Sequence, residues 1–173
     1  MTAPKLLVMG VAGCGKSTLA AELARALSAT LIEGDDHHLP QSQDKMRRGI
    51  ALQDADREPW LGRLGDLLAG EPGPAVLTCS ALKRRYRERL RTAVPALRTV
   101  FIDIPIEESR KRVASRADHV FPPELVASQF AALESPVGEP DVLAVAAQAP
   151  LHEQLRSVLH WLGETEPLLR QPS

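Results

Sequence analysis

The chain has 173 residues, 44% of them hydrophobic and 25% charged, with a net charge of −1. That length suits one compact domain, 1–173, with a real core, and the composition is ordinary for a globular protein. The near-neutral balance argues against a broad basic face for nucleic acid or an anionic membrane, and the longest apolar stretches fall far short of a bilayer span. Met1–Pro4 run straight into the first apolar segment without a targeting pattern, so a cytoplasmic location is expected. The two cysteines, Cys14 and Cys79, have no metal-ligand spacing and predict neither a disulfide nor a zinc site.

Short apolar runs alternate with helical periodicities, which predicts βα units around a mainly parallel sheet. The strands are expected at 5–9, 30–33, 75–79, 99–103 and 142–145. Between the first strand and a helix carrying Leu19, Leu23 and Leu27 lies Gly10-Val11-Ala12-Gly13-Cys14-Gly15-Lys16-Ser17, a complete G-x-x-x-x-G-K-S phosphate loop. Its glycines let backbone N–H groups turn inward, and the following helix aims its positive end at the same point. Lys16 is placed to reach β- and γ-phosphate oxygens and Ser17 to ligate Mg²⁺, so a nucleoside triphosphate is the expected ligand.

After the second strand come Glu33-Gly34-Asp35-Asp36-His37-His38. A carboxylate here faces the γ-phosphate, so Asp35 is the candidate base for an acceptor hydroxyl, with Glu33 or Asp35 helping to hold the metal's water shell. Asp36 reads equally well as a turn residue. Asp54 and Asp56 suit helix caps, and Pro59 suits the first position of the helix bearing Trp60, Leu61 and Leu64, with Gly70 as its stop. Trp60 reads as a core residue. Arg57 offers a two-pronged grip on an anion. Lys83 and Arg87, four apart, share a helix face and could clamp one anionic group. Arg112 and Arg116 have the same spacing: one could stack on adenine while the other reaches the transferring phosphate from a mobile lid. A helix is expected to start at Pro123 and the last one at Pro150.

Taken in order, these segments resemble the small phosphate-loop gluconokinases, relatives of shikimate and adenylate kinases. The resemblance rests on the phosphate loop, Gly34-Asp35-x-x-His38, Lys45-Met46-x-x-Gly49, Asp54-x-Asp56-Arg57-x-Pro59-Trp60-Leu61, Cys79-Ser80-Ala81-Leu82-Lys83-x-x-Tyr86-Arg87, and Ser128-Gln129-Phe130-x-x-Leu133-Glu134-x-Pro136. It implies a three-layer α/β P-loop fold with a five-stranded parallel sheet, similar to nucleoside monophosphate kinases, and a lid at about 114–135. The implied reaction is transfer of the ATP γ-phosphoryl group to the 6-hydroxyl of D-gluconate, giving 6-phosphogluconate and ADP, in a homodimer using Mg²⁺. The resemblance places ATP on Gly10, Gly13, Cys14, Gly15, Lys16, Ser17 and Thr18, with Arg112 and Pro150 flanking adenine. It places gluconate among Asp35, His38, Arg57, Lys83, Arg87, His119 and Gln129, and gives Arg116 the charge on the transferring group. The chain departs from the family at Glu33, where Asp is frequent, and at Leu39, Ser42, Ala51, Gln53 and Val120. A kinase for another small acid or nucleotide, and a nucleotide-binding module without turnover, are the competing readings.

Overall fold

The computed structural model describes residues 3–116 and 125–165. Five strands, β1 (Lys5–Met9), β2 (Thr30–Glu33), β3 (Ala75–Thr78), β4 (Arg98–Asp103) and β5 (Val142–Ala146), form one sheet in the order β2-β3-β1-β4-β5. Every pairing is parallel. Each strand lies within one residue of its sequence expectation, because each is a short apolar run bounded by turn residues.

β1 is central and all five of its residues are buried. Leu6 and Val8 face a core shared with α1 (Lys16–Leu27) and α7 (Leu151–Thr165), through Leu19, Leu23, Val158 and Leu162. Leu7 and Met9 face the opposite core, built with α3 (Asp54–Gly70) and α4 (Arg84–Ala93) through Leu61, Leu64, Leu68 and Leu90. The result is the expected three-layer α/β arrangement with a strand buried on both faces.

From β1 the chain runs to β2 and back to β3 on one side, then crosses past β1 to β4 and β5 on the other, so the winding reverses direction at β1. Ligand crevices form at such points. The phosphate loop occupies it.

Two helix boundaries differ from expectation. α3 starts at Asp54, five residues before Pro59, because Gln53 and Asp56 form a reciprocal capping box that nucleates the helix early. Pro59 therefore lies inside α3, not at its first position. A further helix, α2 (Pro40–Arg47), has no strong apolar stripe in sequence, although Pro40 at its start was a legible signal. α5 (Ile106–Ser115) and α6 (Val126–Ala132) flank residues 117–124. The expected helix start at Pro123 and most of the lid tip lie outside the described residues.

Candidate active site

Gly15 adopts φ +97° as the N-cap of α1, a left-handed conformation that admits glycine readily and turns the loop into the helix. Lys16 opens α1, and its Nζ donates to the carbonyls of Gly10 at 2.8 Å and Val11 at 3.2 Å. The loop is braced from α5 and α6. Ser109 Oγ donates to Ala12 O at 2.7 Å, and Ala12 N–H donates to Gln129 Oε1 at 2.7 Å. Arg112 adds a bond from NH1 to Gly13 O at 3.2 Å. The helices on either side of 117–124 are thus bolted to the phosphate loop.

Across the crevice, a single 3₁₀ turn over Gly34–His37 carries Asp35 off the end of β2. The Asp35 carboxylate is open to the cleft, its side chain 86% exposed, and Oδ1 lies 3.5 Å from His38 Nε2. His38 side-chain hydrogen bonding holds this carboxyl below its ordinary range, outweighing the desolvation imposed by the cleft walls; the Lys16 charge acts in the same direction as His38. Asp35 is therefore ionised at neutral pH. His38 is buried and stacks on Trp60, with ring centroids 3.9 Å apart and 19° between planes. The Trp60 indole N–H donates to Gly34 O at 2.8 Å. Trp60 is a core residue, as expected, and it also orders the turn that carries Asp35.

These elements enclose a cleft of about 540 Å³. Gly13, Gly15, Lys16 and Ser17 form its floor, Asp35, His38 and Arg57 one wall, and Arg116 and Gln129 the other. The cleft thus assembles expected residues from five distant segments. It also contains residues the sequence reading did not assign: Trp60, Ser80, Ser128 and Arg47, the last an exposed cation on α2. Arg57 lies 5.5 Å from the Tyr86 ring centre and donates to Leu52 O at 2.5 Å, which leaves most of its guanidinium donors for a ligand.

Other expected residues lie around the floor. Gly10 and Cys14 form the buried underside of the loop, and Thr18 is exposed in the first turn of α1. Arg112 spans from the loop to Ala147 O, 3.2 Å from NH2, so it reaches the segment after β5 that contains Pro150. That segment is pinned by the buried Gln154, whose amide donates to the carbonyls of Ala146, Ala147 and Ala149 at 2.9–3.2 Å. Neither cysteine is paired, and burial pushes the Cys79 thiol up to about 12. No cluster of three or more potential metal-binding His, Cys, Asp or Glu residues occurs among the described residues.

The Lys83–Arg87 clamp does not form. Arg87 is fully buried and spends all five of its N–H donors on protein: Glu139 twice, and the carbonyls of Ala81, Leu82 and Glu134. No donor remains for a sugar acid. Its effect on the site is indirect, through the turn after β3, where Ala81 has φ +45° and Ser80 enters the cleft. Lys83 caps α4 outside the cleft lining, with Nζ 3.1 Å from Asp54 Oδ1. Asp54 also accepts from Tyr86 and, at 2.9 Å, from Arg85. His119 lies outside the described residues.

A parallel α/β sheet with a phosphate loop at its switch point, faced by an ionised carboxylate across a cleft, defines an ATP-dependent phosphotransferase of the P-loop kinase fold. Residues 6–140 match the model of the AAA domain family. The chain is 39% identical to the thermosensitive gluconokinase of Escherichia coli K12, covering 84% of this chain and 80% of that one. It is 43% identical to a gluconokinase of Gluconobacter oxydans, covering 83% and 82%. A crystal structure of a gluconokinase from Sinorhizobium meliloti superposes with a TM-score of 0.87 at 40% identity, covering 96% of this chain and 95% of that one. The chain belongs to the gluconokinase family.

Proposed function

We propose that this protein transfers the γ-phosphoryl group of ATP to the 6-hydroxyl of D-gluconate, giving 6-phosphogluconate and ADP. The observation that carries this reading is the placement of Lys16 and the ionised Asp35 on the floor and wall of one cleft. The loop N–H groups and Lys16 grip the phosphates, Lys16 exchanging its loop carbonyls for phosphate oxygens. Asp35 orients the acceptor hydroxyl and takes its proton as the phosphoryl group moves in line. His38, Arg57 and His119 meet the hydroxyls and carboxylate of the acid, and Arg116 stabilises charge on the transferring group. Gln129 contributes from α6, and Arg112 and Pro150 flank adenine. Catalysis comes from positioning and electrostatics, without a covalent enzyme intermediate.

The residues beside the loop suit magnesium. The exposed Ser17 hydroxyl lies 3.0 Å from Glu33 Oε2, so hard oxygen donors meet at the phosphate site. Ser17 would hold the ion directly and Glu33 through water; when bound, the ion neutralises charge on the β- and γ-phosphates. No helix among the described residues is long and apolar enough to cross a membrane. A cytoplasmic homodimer completes this reading, with sedimentation as its check.

Phosphorus and carbon NMR of the product tests the acceptor position. The reading requires one new phosphomonoester coupled to carbon 6 of gluconate. Phosphate on another carbon, or on another acid in a competition mixture, would overturn it.

A further inference from the structure

Glu33 ends β2 and Thr78 ends β3, and the two are direct partners in the parallel register of the sheet. Thr78 is 4% exposed and is the polar end of an otherwise apolar strand. Its Oγ1 accepts the Gly34 N–H at 3.2 Å, and its own proton goes to Glu33 Oε2 at 2.6 Å. The same Oε2 accepts the Ser17 hydroxyl at 3.0 Å. Each proton in this chain has one destination. The amide occupies a lone pair of Thr78, Thr78 donates to Glu33, and Ser17 also donates to Glu33. Ser17 is thereby left with its lone pairs available to a cation.

The close approach of the strand ends makes this possible. A Cβ on Gly34 would lie 2.2 Å from Thr78 O, so only glycine lets β2 end so near β3. A glutamate side chain has three rotatable bonds, and an untethered carboxylate on it would sample several rotamers beside Ser17. Thr78 removes that freedom.

We infer that Thr78 is a positioning residue of the cation site: through Glu33 it fixes the direction in which the Ser17 hydroxyl presents its lone pairs. The inference rests on Ser17 as the metal-bearing hydroxyl, but not on the identity of the acceptor. Partners that orient a metal's immediate surroundings commonly change affinity by about 10- to 100-fold when removed.

The test uses the full chain, ADP and Mn²⁺ as the probe, with free Mn²⁺ followed by electron paramagnetic resonance and no acceptor present. Thr78→Val should weaken Mn²⁺ binding to the protein–ADP complex by about tenfold, while ADP binding in EDTA stays within about twofold. Thr78→Ser keeps the hydroxyl and should bind Mn²⁺ within about twofold of the parent. In a Glu33→Ala background, Thr78→Val should have no further effect, since Thr78 acts through Glu33. Undiminished Mn²⁺ binding in Thr78→Val, or an equal loss in Thr78→Ser, would overturn the inference. So would a Thr78→Val effect that persists without Glu33. If Thr78→Val does not fold, Glu33→Ala alone decides, because unchanged Mn²⁺ affinity there removes the relay. A negative result leaves gluconate phosphorylation standing, and failure of gluconate as acceptor leaves this result interpretable.

Discussion

The Arg87 guanidinium grips the Glu139 carboxylate side-on, Nε to Oε1 at 3.0 Å and NH2 to Oε2 at 2.6 Å, with both side chains buried. Together they lock the segment after α6 onto the turn after β3. Removing Arg87 costs Glu139 its bidentate partner and frees three carbonyls, although Arg91, 3.0 Å from Glu139 Oε1, remains as a second cation; the cost is therefore at most the about 3–5 kcal/mol of an uncompensated buried charge. Arg87→Met should therefore lower the melting temperature by roughly 10 °C in calorimetry. At a temperature where the variant stays folded, its acceptor KM should change little, unlike that of a substrate clamp.

Acid should reveal the same pair. Burial raises the Glu139 pKa, but hydrogen bonds from Arg87 and Arg91 and their charges outweigh it, so the net shift is downward. A lowered folded pKa contributes stability that is fully present above the unfolded glutamate value of about 4.3 and is lost as pH falls through the folded value. Without Arg87 the burial of Glu139 is less opposed and its pKa rises, so denaturant melts should show the Arg87→Met penalty in full at neutral pH and shrinking as acid protonates Glu139 in the variant before it does so in the parent.

Asp35 is the proposed base. Asp35→Asn should lower kcat by about 10²-fold or more in a coupled ADP assay, with ATP KM nearly unchanged. Because His38 holds the Asp35 pKa down, the rate should not lose this base until pH falls below the ordinary carboxylate range. His38→Leu removes that influence, so the acid limb of kcat should move to higher pH.

Gln129 joins α6 to the phosphate loop through Ala12 N–H. Gln129→Met preserves length but removes the acceptor, and a hydrogen bond of this kind is worth about 0.5–1.5 kcal/mol. Steady-state kinetics should show ATP KM rising roughly 2- to 10-fold, the range those energies span. A change confined to the acceptor KM would mean that Gln129 serves the acceptor and not the loop.

Local signals carried most of the fold into view. All five strands are apolar runs with turn residues at their ends, and the phosphate loop is defined by spacing alone. α2 escaped because Gln41, Gln43 and Asp44 leave it without a strong apolar stripe, and the start of α3 was misplaced because Pro59 is a louder signal than the Gln53–Asp56 cap. Asp35 and His38 were legible as polar residues beyond a strand end, and Arg57 as a guanidinium offering a two-pronged grip beside a helix start. Arg87 was misread because i,i+4 spacing shows which residues share a face but not whether that face meets water. Its carboxylate partner is 52 residues away. Thr78 was invisible within an apolar strand, and its meaning appears only when the sheet register places it beside Glu33.

ATP turnover measured with and without D-gluconate tests the central claim most directly. With Mg²⁺ present, D-gluconate should strongly accelerate ADP formation, one ADP per 6-phosphogluconate, and Asp35→Asn should abolish most of that acceleration. ADP formation indifferent to gluconate, or driven better by shikimate or a nucleoside monophosphate, would contradict the assignment of this cleft to a polyhydroxy acid.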